Sequence, residues 1–129
     1  MRISGLSKRV VAVVLAGMFG AAAVASPALA VAPDYQPYGA GSTLSLYNDA
    51  RTVLVGRIVV TANSGAGWDI SVCDYHSDGY VVTGRFDAGA SGVVAVSTPG
   101  YNQCTYRHFS TINKYRLAWN TYATGWYLP

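Results

Sequence analysis

Beyond residue 42 no window of the chain carries apolar residues at the three-and-four spacing of a helix. Short runs rich in Val, Ile, Thr and Tyr recur instead, each bounded by Gly, Asn, Asp, Ser or Pro. Arg51–Thr61 is the clearest, with Val53, Val55, Arg57 and Val59 on one face and Leu54, Ile58 and Val60 on the other. Trp68–Tyr75 alternates as well: Trp68, Ile70 and Val72 oppose Asp69, Ser71 and Cys73. Thr43–Tyr47, Tyr80–Phe86, Val93–Ser97, Tyr101–Ser110, Lys114–Asn120 and a short Gly125–Leu128 complete the set, and Asp78-Gly79 carries a hairpin signal. About six to eight strands of this kind predict an all-β fold, a small antiparallel β-sandwich of Ig-like architecture over 42–129. Trp68 precedes Cys73 by five residues, so the immunoglobulin order of Cys, Trp and Cys is absent.

The first thirty residues read differently. Arg2, Lys8 and Arg9 precede the apolar run Val10–Ala25, and Pro27 and the small-x-small triplet Ala28-Leu29-Ala30 follow it. That is the layout of a secretory signal peptide, 1–30, with cleavage after Ala30 or, as an alternative, after Ala32. The run is shorter than the roughly 20 apolar residues needed to span a bilayer. The exported product carries six bases (Arg51, Arg57, Arg85, Arg107, Lys114, Arg116) against six acids (Asp34, Asp49, Asp69, Asp74, Asp78, Asp87). A neutral chain with scattered charges lacks the electrostatic footprint of a nucleic-acid or anionic-membrane binder.

Cys73 and Cys104 both lie in the exported part, where an oxidising compartment favours a disulfide between them. Neither belongs to a C-x-x-C pair, so a metal site is not indicated. The chemistry of catalysis is equally sparse. There is no Glu, and no G-x-S-x-G, H-E-x-x-H, phosphate loop or dinucleotide fingerprint. His108 reads as a sheet-surface residue pointing with Tyr106 and Cys104. Asp74–Gly79 begins like a calcium loop, but His76 occupies its third position and Arg85 the twelfth, so it reads as a polar turn. These residues predict a protein that is not an enzyme and needs no cofactor.

Two features point to binding. Val31–Gly41 holds two prolines and two glycines and reads as an extended or flexible arm. Its Tyr35 and Tyr38 leave two readings open, a spacer or a peptide that docks on a partner. All ten Tyr and all three Trp follow the leader, more aromatic surface than a small sandwich can bury. Trp68 and Trp119 are the expected core members. The densest stretch, Trp119–Leu128, offers Tyr122, Trp126 and Tyr127 as a contact surface.

The order of signal peptide, Tyr/Pro arm (Asp34-Tyr35-Gln36-Pro37-Tyr38) and compact all-β domain with one cysteine pair resembles the small secreted adaptor of Streptomyces umbrella toxin particles. The resemblance implies a subunit that bridges a repeat-containing toxin to a lectin subunit. It also implies that Val31–Gly41 engages a degenerate trypsin-like domain of that lectin. The expected function is therefore a secreted protein-binding adaptor in a toxin complex for bacterial competition. The expected partner-binding residues are Asp34, Tyr35, Gln36, Pro37, Tyr38, Tyr122, Trp126 and Tyr127. Two alternatives stay open: a secreted hydrolase inhibitor presenting Thr98–Gln103, and a carbohydrate-binding sandwich using Tyr122, Trp126 and Tyr127.

Overall fold

The computed structural model describes residues 31–48 and 50–129. The expected signal peptide lies outside them. Val31–Pro129 is one compact unit. Its strands are β1 (Val31–Tyr38), β2 (Gly41–Asn48), β3 (Leu54–Ala62), β4 (Trp68–Asp74), β5 (Val82–Asp87), β6 (Val93–Ser97), β7 (Gln103–Phe109), β8 (Lys114–Trp119) and β9 (Tyr122–Ala123). They form two antiparallel sheets, a five-stranded one in the order β1-β2-β3-β4-β7 and a four-stranded one in the order β6-β5-β8-β9. The fold is the all-β antiparallel sandwich the alternation predicts. Among the described residues there is no α-helix, only a single 3-10 turn at Gly89–Ser91.

The segment read as an arm is extended, but it is not a free tail. Val31–Tyr38 pairs with β2 along its whole length, from Val31 opposite Asn48 to Tyr38 opposite Gly41. The prolines permit this because β1 is an edge strand. Pro33 and Pro37 share a parity, so both ring nitrogens face away from β2 and no ladder bond is lost.

Asp78-Gly79 does not make a hairpin either. β4 pairs with β3 and β7, whereas β5 pairs with β6 and β8, so 75–81 carries the chain from one sheet to the other. The expected last strand, Gly125–Leu128, reduces to an antiparallel bridge between Tyr127 and Tyr115, and β9 falls earlier.

The core follows from period-two alternation. Leu44, Leu46, Ile58, Val60 and Val72 from the larger sheet meet Val82, Phe86, Tyr115 and Leu117 from the smaller, all fully buried. The Phe86 ring lies 5.1 Å from Phe109 and 6.0 Å from Tyr115, centroid to centroid. Trp68 and Trp119 are half-buried and pack at the margin of this cluster, not at its centre. Gly84 lies against the core, where the sheets pack together. A Cβ there would lie 2.7 Å from the Phe86 ring and 3.0 Å from Val72 Cγ2.

Cys73 and Cys104 form the expected disulfide. They face each other directly across β4 and β7, with Cα atoms 4.0 Å apart. The bond therefore ties an edge strand to the body of its sheet and closes a loop over a sequence separation of 31. Replacing both cysteines by alanine is expected to lower the unfolding free energy by about 3–4 kcal/mol in the chain-entropy account. Urea denaturation of the oxidised wild type and the double variant measures it, and equal midpoints would refute it.

Candidate functional site

Two sheet-to-sheet connections emerge side by side, because Asp74 at the end of β4 stands opposite Gln103 at the start of β7. They are 75–81, joining β4 to β5, and 98–102, joining β6 to β7. Their bases are clamped together. The Thr98 N–H donates to the Val82 carbonyl at 3.0 Å, and the Val82 N–H donates to Thr98 Oγ1 at 3.2 Å. The Asn102 N–H donates to the Asp74 carbonyl at 2.8 Å. Asn102 takes φ of 60°, a left-handed conformation that asparagine tolerates better than most residues. Asp78 braces the first loop: Oδ2 accepts from Trp119 Nε1 at 2.8 Å and Oδ1 from the Tyr80 N–H at 2.9 Å. Tyr80 then meets Trp119 edge-on, with centroids 6.0 Å apart.

Between the loops lies a cleft of about 320 Å³, lined in part by Asp74, His76, Tyr80, Pro99 and Tyr101. Tyr75, Tyr80, Val81 and Tyr101 are all exposed at this end, Tyr101 by 56%. A second recess, bounded by Tyr80, Val81, Thr83, Arg85 and Trp119, adjoins the first across the Tyr80–Val81 ridge. Clustered exposed aromatics of this kind mark contact surfaces more often than scattered ones do.

The floor of the cleft is unusual. The alternation that sends Trp68, Ile70 and Val72 inward continues one step further, so Asp74 points the same way at the end of the core. Its exposure is 1%. Oδ1 accepts from the His76 N–H at 3.1 Å, whereas Oδ2 is buried without a partner among the described residues. Burial pushes the Asp74 carboxyl above the usual carboxylate range; the nearby Asp78 adds to this, and the His76 N–H bond opposes it. No Lys or Arg lines the cleft. The arrangement can hold a hydrogen-bond donor or a cation between aromatic walls. No group of three or more His, Cys or Asp side chains placed to hold a metal occurs among the described residues.

The residues expected to bind a partner lie elsewhere, and several are engaged internally. Tyr35 stacks on Tyr127 at 4.7 Å, and its hydroxyl donates to the Leu128 carbonyl at 2.9 Å. Tyr38 bonds to the Val60 carbonyl and Thr61 Oγ1, each at 3.2 Å. Asp34 accepts from Gln36 Nε2 at 2.8 Å and lies 3.9 Å from Arg51. Pro37 is exposed in β1. Tyr122 is half-buried against the core. Trp126 is half-buried beneath two cations, with Arg116 4.6 Å and Lys114 5.0 Å from its ring centroid. Tyr35 and Tyr127 are thus brought together as a staple between β1 and the C-terminal segment.

His108 is exposed on the outer face of the larger sheet, as expected, with Nδ1 2.9 Å from Asp69 Oδ1. His76, read as part of a polar turn, lines the cleft. Sequence reads Asp74 as the start of a polar turn and Tyr101 as part of the Thr98–Gln103 loop, and it does not bring these two residues and Tyr80 together at one cleft. Extending the β4 alternation to Asp74 was the available signal. No protein-family model, curated protein or solved structure matches the chain.

Two predictions follow from these placements. Tyr35→Ala and Tyr127→Ala are expected to be coupled by about 0.5–1.5 kcal/mol in a double-mutant cycle of unfolding, and additive effects would refute the staple. For Asp74, a carboxyl raised in the folded state makes the fold bind more protons than the unfolded chain does. Its contribution is therefore full below the ordinary carboxyl range and is lost as pH rises through the raised folded value. Asp74→Asn is expected to raise stability near pH 7 by about 1 kcal/mol, with no gain at pH 3. Urea midpoints at the two pH values test this, and a variant less stable than wild type at pH 7 would contradict it.

Proposed function

We propose that this domain is an exported, non-enzymatic protein-binding module that grips its partner at the crossover end of the sandwich. The observation that carries the reading is the exposed group Tyr80, Val81 and Tyr101 lining a preformed cleft on braced loops, with exposed Tyr75 on the first of those loops. Rigid aromatics on a fixed scaffold lose little entropy on binding. The proposal extends to an adaptor between larger secreted proteins, which rests on the layout of leader, Tyr/Pro segment and disulfide-bearing domain. The contact surface now proposed is the cleft end, since β1 is committed to the sheet.

The test is affinity capture from the producing cell's culture supernatant with tagged wild-type domain and with a Tyr80→Ala/Tyr101→Ala variant. Large secreted proteins are expected in fixed ratio on the wild type, depleted about tenfold or more on the variant. Recovery of the wild type alone, or equal capture by both, would overturn the reading.

A hydrolase inhibitor is the second reading, favoured by one observation. Thr98–Gln103 is held by the Thr98–Val82 and Asn102–Asp74 bonds and abuts Cys104, so Tyr101 stands on a loop fixed at both ends. Nanomolar inhibition of a secreted protease, lost in Tyr101→Ala, would select this reading over the adaptor.

A further inference from the structure

We propose that the cleft over Asp74 is a pocket for a single lysine side chain of the partner protein. This deepens the binding-module reading and rests on it.

A buried carboxylate oxygen without a hydrogen-bond partner is rare in folded proteins, because desolvating it costs free energy that nothing returns. Here Asp74 Oδ2 is such an atom, with no exposed surface of its own, and Asp74 is among the residues lining an open cleft. A neutral hydroxyl could bond to it but would leave the charge uncompensated. A cation supplies both the hydrogen bond and the opposite charge.

Asp78 lies on the same loop and adds negative potential, His76 opposes it, and no Lys or Arg lines the cleft. Arg57 is held over the Tyr75 ring at 5.9 Å, and Arg85 faces the neighbouring recess. Tyr80 and Tyr101 provide aromatic walls that attract a cation passing between them. His76 also lines the cleft, and its backbone N–H already occupies Oδ1.

The free acceptor is thus one oxygen, not a pair. That suits the compact charge of an ammonium on a flexible stem better than the two-pronged guanidinium fork of arginine. The cleft volume of about 320 Å³ has room for one long side chain and not for a helix or strand.

The probe is Nα-acetyl-lysine methylamide, titrated into the folded domain and followed by amide chemical shifts. The comparison probes are the norleucine and arginine analogues and a methyl glycoside. Saturable shifts are expected at His76, Tyr101 and Asn102 with the lysine probe, with millimolar affinity for a single side chain. They are expected to weaken about tenfold or more in Asp74→Asn, whose fold is checked by its unfolding transition. Tyr101→Ala is expected to weaken them as well.

No saturable shift with the lysine probe, or an equal response to norleucine, would overturn the proposal. So would unchanged binding in Asp74→Asn, tighter binding of arginine, or shifts induced by the glycoside in place of lysine. The two proposals fail separately. Partner capture lost in Tyr80→Ala/Tyr101→Ala but kept in Asp74→Asn leaves the binding module standing and removes the lysine pocket.

Discussion

A buried tyrosine hydroxyl governs how the two sheets meet. Tyr115 is fully buried in β8, and its hydroxyl is bonded to Ser42 Oγ of β2 at 2.8 Å. Ser42 Oγ donates to the Leu128 carbonyl at 3.0 Å, and the same carbonyl accepts from Tyr35 at 2.9 Å. Apolar contact alone would allow the sheets to slide, since it rewards area and not register. A polar group buried in the core is satisfied at one offset only. The backbone exchange between Tyr115 and Tyr127 fixes the C-terminal segment to the same point. Burial accordingly pushes the Tyr115 phenol far above its ordinary value.

Once that side is fixed, the opposite end is free to carry loops. The two crossovers are joined at their bases by the Thr98–Val82 pair, so the surface they build inherits the rigidity of the sandwich. Asp74 sits at the boundary between core and loops. Its buried, half-satisfied carboxylate weakens the fold at neutral pH, and a sequence selected for stability alone would place an amide or an apolar side chain there. A site that opposes stability in this way is where function is commonly found.

Most strands were legible because alternation and turn clusters are local signals. Val93–Ser97 was read with the boundaries it has. β1 was not legible, because two prolines argue against a strand unless it is known to lie at an edge, and edges are a property of the assembled sheet. The Asp78-Gly79 pair misled for a related reason. Its Asx-type bond to the Tyr80 N–H is present, yet whether a turn closes a hairpin depends on which strand the chain meets next. The site was hidden by overlap: Asp74 belongs both to the alternating run Trp68–Tyr75 and to the polar turn Asp74–Gly79, and a charged residue at that junction reads as turn and not as core face. The placement of Tyr80 and Tyr101 on facing loops required the topology itself.

The prolines of β1 have a consequence for self-association. A sheet edge with open N–H groups is a template for another copy of the same chain, the first step toward aggregation. With Pro33 and Pro37 facing outward, the only N–H donor between them on that rim is that of Tyr35. The rim at β7 is less protected by composition, and there the Thr105 hydroxyl donates to the Ser97 carbonyl of β6 at 2.9 Å, drawing the two exposed strands together. One border of the sandwich is thus blunted by chemistry and the other by proximity. Concentrated solutions of the domain gain colloidal protection at their most extended flank without any charged residue being needed there.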